Sequence, residues 1–126
     1  LVPRKKELDN WFQENDIDIL ATTHTCLPVV YDNRRNIVIN NGAAGMANIK
    51  GETFGLFTRI AKNSHKKAIY SEYRDGLYVE LIKVDFDIDK FKLWFEKVWP
   101  DDSPASISYK NRIINGTSLT IEDIIV

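Results

Sequence analysis

Residues 17–22 read Ile-Asp-Ile-Leu-Ala-Thr, residues 23–28 Thr-His-Thr-Cys-Leu-Pro, and residues 37–46 Ile-Val-Ile-Asn-Asn-Gly-Ala-Ala-Gly-Met. The first stretch is short and apolar, as in a strand buried on both faces. It runs into His24 and Cys26, two soft metal-ligand types two residues apart. The third stretch is a second short strand that runs into a loop poor in side chains. A strand end offering His and Cys, beside a strand end offering bare backbone N–H groups, is one way to hold a metal next to an anion.

Working outward, Leu8, Trp11 and Phe12 fall at helical spacing after Pro3, which predicts a helix over residues 4–15 with these three side chains inward. Asn15-Asp16 ends it. Val29–Tyr31 and Asn36–Ile39 flank a turn-like Asp32-Asn33-Arg34-Arg35 run and form a hairpin candidate. Residues 40–52 read as loop. Strands follow at Phe54–Ala61, Lys67–Tyr73 and Leu77–Phe86, with Arg74-Asp75-Gly76 turning the last two into a hairpin. Asp89 is placed to cap a helix over 90–98, with Phe91, Trp94, Phe95 and Val98 on one side. Trp99-Pro100 to Pro104 stops it. A helical stretch over 105–113 and a short helix opening at Thr120 complete the chain. The fold class expected is α/β: strands at 17–22, 28–32, 36–40, 53–60, 66–73 and 77–86 in one mixed sheet, covered by helices 4–15 and 89–98.

The 126 residues suffice for one domain with a real core. A hydrophobic fraction of 44% with 11% aromatics excludes a disordered chain. The net charge of −1 gives no basic excess to recommend a nucleic-acid partner. No apolar run approaches a membrane span, and the first residues lack the apolar core of a signal peptide. Cys26 is the single cysteine and has no partner for an intrachain disulfide, so a cytoplasmic, reducing setting is expected. Leu-Val-Pro-Arg at 1–4 also matches a common protease-site tag. Asn115-Gly116-Thr117 fits the glycosylation pattern, which chance explains more easily.

Two readings of His24 and Cys26 stay open on the residues alone. On a strand, positions i and i+2 share a face, and a zinc-class metal accepts imidazole nitrogen and thiolate sulfur together. Equally, a free Cys is commonly a small core residue beside a hydrogen-bonded His. The Asn40-to-Gly45 loop likewise either offers N–H groups to an oxyanion or simply turns tightly with close backbone packing. The aromatic cluster Phe91, Trp94, Phe95 and Trp99 reads as core or interface. Arg59 could face either way, and Lys66 and Lys67 read as solvated.

At these segments the sequence resembles the C-terminal half of a calcineurin-like metallophosphoesterase. That family's last metal motif is Gly-His-x-His, usually followed by x-Pro, and its next strand ends in a loop of the Asn-Pro-Gly-Ser type. Here a strand, Thr23-His24-Thr25-Cys26-Leu27-Pro28, a hairpin and Asn40-Asn41-Gly42-Ala43-Ala44-Gly45 follow the same layout. The preceding helix and Gly55 to Arg59 also fit. The likeness covers residues 4–60 well and is looser beyond.

The resemblance implies one half of an α/β/β/α sandwich in residues 1–86, a C-terminal helical extension in 87–126, and hydrolysis of phosphate esters at a centre of two divalent metals of the zinc, manganese or iron class. It implies that His24 is catalytic, that Cys26 and His24 form this chain's part of the metal site with Cys26 as the ligand, and that Asn40, Asn41 and Gly42 bind substrate. Thr23 stands for the family's Gly, Cys26 for its second His, Asn41 for Pro and Ala43 for Ser. A thiolate suits zinc and disfavours manganese or magnesium. The family's other metal motifs, Asp-x-His, Gly-Asp-x-x-Asp and Gly-Asn-His-Glu, do not occur in the 126 residues. The chain is therefore expected to be inactive alone, a piece of a cytoplasmic hydrolase whose partners are a phosphate-ester substrate and either a missing N-terminal half or a second copy. Apolar faces of strands 17–22 and 36–39 should then lie open. The alternative is a non-catalytic binding or assembly domain derived from the same fold.

Overall fold

The first helix, α1, runs Lys5–Asn15 and ends on Asp16 in the left-handed conformation. The computed structural model describes residues 4–126, so Pro3 and most of the tag-like tetrapeptide lie outside the described residues. Phe12 is the buried residue of α1 and packs with Tyr31 and Val38, while Leu8, Ile17, Leu20 and Val126 ring them. Trp11, expected inward, sits at the rim, 36% exposed and edge-on to Phe12 at 5.5 Å. One helical stripe buries one side chain at its centre, and its neighbour falls to the side.

The six strands form two sheets, not one. β1 (Ile19–Thr22), β2 (Val29–Asp32) and β3 (Ile37–Asn40) make the first, in the order β1-β3-β2. β1 runs parallel to β3, and β2 pairs with β3 as the expected antiparallel hairpin. β4 (Gly55–Ala61), β5 (Ala68–Arg74) and β6 (Leu77–Val84) make the second, fully antiparallel, with β6 in the middle. Asp75 and Gly76, both at positive φ, form the two-residue turn of the β5–β6 hairpin. The strands were legible one by one, but the division between sheets was not, because it depends on which edges pair across distance.

The two sheets face each other across one core. Val30, Ile37 and Ile39 of the first meet Leu56, Val79 and Leu81 of the second, with Ala47, Ile49, Phe54 and Ile124 filling between them. Each Val, Ile, Leu or Phe side chain of this set contributes about 1.5–3 kcal/mol on burial. The other face of the first sheet carries Leu20, Val38 and Tyr31 toward α1. β3 is thus buried at all four residues, contrary to the expected open face over 36–39; α1 and the second sheet cover it on either side. Tyr31 donates to Asp9 at 2.7 Å and so ties α1 to β2.

Helix α2 spans Ile88–Val98, and its cap is Asp87, which accepts from the Lys90 N–H, not Asp89. The helix starts two residues earlier than expected, so Asp89 lies inside its first turn. Phe95 is buried, whereas Leu93, Trp94, Val98 and Trp99 are exposed. α3 covers Pro104–Asn115, capped by Ser103. The short α4, Ile121–Ile124, opens on a Thr120–Asp123 capping box. Beyond it the chain bonds to the β2 edge, with Val126 N–H donating to Val30 O at 2.8 Å.

Candidate functional site

Thr22 and Asn40 are register partners at the ends of parallel strands. The chain therefore leaves β1 and β3 at the same edge of the sheet, and loops 23–28 and 40–45 emerge side by side. The carboxyl ends of parallel strands are where open α/β sheets bind ligands, since the diverging loops leave a crevice there. The two sequence segments that stood out are thus brought together.

They are also fastened to each other. Asn41 N–H donates to Thr22 O at 3.4 Å, and the Thr23 hydroxyl donates to Gly42 O at 3.3 Å. Gly42, at φ +68°, lies so close to the first loop that a Cβ there would come within 2.8 Å of Pro28 N and 2.9 Å of Cys26 O. The loop itself is not strand: His24 at φ 86° and Cys26 at φ 62° both occupy the left-handed region. The alternation that would put both side chains on one face accordingly does not apply. Backbone held in this region costs an L residue about 1–3 kcal/mol and persists only where surroundings enforce it. His24 is exposed and Cys26 partly exposed, so Cys26 is not a fully buried core residue.

Much of the donor capacity expected of the Gly-rich loop is already engaged. Gly42 N–H donates to Asn40 Oδ1 at 2.8 Å, and Asn41 Nδ2 donates to Leu56 O at 3.0 Å. The second of these links the loop to the other sheet. The Asn40 amide nitrogen, the Asn41 amide oxygen, the Cys26 thiol and the His24 imidazole make no hydrogen bond among the described residues.

The residue the sequence did not signal is Asn48. It is fully buried at φ 57°. Its Nδ2 donates to Cys26 O, its Oδ1 accepts from Arg112 Nε at 3.1 Å, and its carbonyl accepts from the Thr117 hydroxyl at 2.5 Å. One side chain so joins the His24–Cys26 loop to α3. Asn in an otherwise small-residue loop was the available signal, because Asn tolerates the left-handed region and both donates and accepts.

A second polar centre lies away from this edge. Glu80 of β6 is fully buried and receives Arg59 at 2.5 Å, the His65 N–H at 2.8 Å and the Ser71 hydroxyl at 3.1 Å. Burial pushes its carboxyl up, and the hydrogen bonds from His65, Arg59 and Ser71 outweigh that and hold it below the ordinary value. Arg59 thus has a definite facing. Lys67, expected to be solvated, is exposed but paired with Asp85 at 2.7 Å. Between the sheets, Asp32 accepts from Arg74 at 2.7 Å and from Tyr70 at 3.1 Å. Burial, then the Asp32 charge, pushes the Tyr70 phenol up, so it stays protonated.

Among the described residues no group of three or more His, Cys, Asp or Glu could hold a metal ion. His24 and Cys26 are two donors, and a zinc site takes at least three from protein. Among the described residues no helix is long and apolar enough to cross a membrane. No family model, curated protein or solved structure matches this chain.

Proposed function

We propose that this chain is the C-terminal portion of a metal-dependent phosphoesterase and contributes the His24–Cys26 and Asn40–Gly42 loops to its site. The observation that carries this reading is the convergence of those loops at the carboxyl ends of the parallel strands β1 and β3. The stacking of two sheets beneath α1 supports it as well. The donors present do not by themselves fit a metal, so the remaining ligands would come from another segment of the parent protein. In this reading the exposed His24 imidazole addresses a phosphate-ester oxygen by hydrogen bond or proton transfer. Cys26 is the metal ligand of this reading.

The sequence preceding Leu1 in the parent gene should contain the three absent motifs. The parent should bind a zinc-, manganese- or iron-class ion, and Cys26→Ser should lower its metal content and activity together, whereas His24→Ala should slow turnover with most metal retained. Equal metal content in the parent and its Cys26→Ser variant would end the ligand assignment. The second reading, a non-catalytic binding or assembly domain, is favoured by one observation: Leu93 of α2 and Ile107 of α3 are each 72% exposed.

A further inference from the structure

α1 covers only part of the outer face of the first sheet. Leu20 and Thr22 of β1, Val38 and Asn40 of β3 and Val29 and Tyr31 of β2 share that face by register. Phe12 packs at the Tyr31–Val38 end. Toward the carboxyl ends of β1 and β3 a cleft of about 340 Å³ remains, floored by Leu20, Val29, Val38 and Asn40 and walled by Leu119 and Ile124. That size and apolar character are those of a small-molecule site, which needs in addition a polar group to orient its ligand.

Asn40 supplies one. It is only 4% exposed. Its Oδ1 is fixed by the Gly42 N–H, which sets the amide orientation. Its Nδ2 has no partner among the described residues and is not sealed from solvent, unlike Thr58 Oγ1 and Arg74 Nε. A buried donor that opens onto an apolar cleft seeks an acceptor. Asp123 is the charged residue among the described lining, and its carboxylate is held by the Thr120 N–H and hydroxyl. With no cation in the lining among the described residues, an anionic ligand is disfavoured.

We infer that this cleft binds a neutral aryl or short alkyl group bearing a carbonyl oxygen, with the ring or chain on Leu20, Val29 and Val38 and the oxygen on Asn40 Nδ2. Three aryl probes test it by amide chemical shifts in the purified chain: acetophenone, toluene, which lacks the acceptor, and benzoate, which is charged. None carries phosphate and no metal is added, so the outcome stands apart from the phosphoesterase reading. Acetophenone should give saturable shifts at Leu20, Val38 and Leu119 with a Kd on the order of 1 mM. Benzoate should bind roughly tenfold more weakly. Asn40→Asp keeps the acceptor for Gly42 and removes the donor. It should weaken acetophenone about five- to tenfold and leave toluene within about twofold. Val29→Trp should fill the cleft and abolish both, and Leu119→Trp from the opposite wall gives the same reading if Val29→Trp fails to fold. Absence of saturable shifts with acetophenone, equal response of acetophenone and toluene to Asn40→Asp, or unimpaired binding in a folded tryptophan variant would each overturn the proposal.

Discussion

Replacing Gly42 by Ala tests whether the two loops at the sheet edge are one packed unit. Gly42 sits at φ +68°, where an L side chain costs about 1–2 kcal/mol. The added Cβ would also meet Pro28 N at 2.8 Å, Cys26 O at 2.9 Å and the Leu27 carbonyl carbon at 3.0 Å, all backbone atoms that cannot swing aside. Overpacking of this kind costs about 1–3 kcal/mol. The reduced entropy of the unfolded chain returns about 0.4–1 kcal/mol. The net is about 3 kcal/mol, or roughly 12 °C in Tm for a chain of this length. Two controls separate the terms. Gly51, at φ +73° with nothing within 4 Å of a Cβ, carries the conformational cost alone, so Gly51→Ala should lose about 1 kcal/mol. Gly45 has open space and no positive φ, and Gly45→Ala should be neutral or slightly stabilising. Urea denaturation of the three variants is the assay. A Gly42→Ala loss no larger than that of Gly51→Ala would refute the packing of loop 26–28 on Gly42, and with it the coupling of the two loops.

The remaining predictions concern the rest of the fold. The Glu80 carboxyl is held below its ordinary 4.5, so its contribution is present above about pH 4.5 and disappears as pH falls through the folded value. Stability of the wild type should therefore fall with pH over that window more steeply than that of Glu80→Gln, and parallel profiles would dismiss the buried network. Glu80→Ala leaves Ser71 and the His65 N–H without their acceptor and Arg59 with only the Asn63 carbonyl, and should cost about 3 kcal/mol by urea denaturation. Tyr31→Phe removes the hydrogen bond to Asp9 and should cost about 1 kcal/mol; a neutral result would mean that the bond does not hold α1 on β2. If the exposed α2 and α3 residues mediate assembly, the wild type should associate in sedimentation at high concentration and the Leu93→Glu, Ile107→Glu double variant should not, while folding stability stays within about 0.5 kcal/mol. A monomeric wild type removes that role.

The local elements are legible along the chain. Alternation in Leu77–Val84, apolar spacing around Phe12, the Asp75-Gly76 turn and the Thr120–Asp123 box all act between residues a few positions apart, so they can be read along the chain. The sequence also singled out the two loops, since His24, Cys26 and the Asn40–Gly45 run are unusual wherever they fall. What those residues became depends on contacts made across the fold. The first strand ends at Thr22 as the sequence indicates, but the shared strand face expected for His24 and Cys26 does not extend past it, and contact with Gly42 and the Asn48 amide accompanies a left-handed loop. Six strands were read as one sheet, yet β4 to β6 pair among themselves and face the first sheet instead of extending it. Glu80 found Arg59 across 21 positions, and Asn48 found Arg112 across 64. Periodicity records which face of an element is apolar. Which edges pair, and which buried polar groups meet, is set by the simultaneous satisfaction of groups far apart in the chain, and no single stretch contains that information.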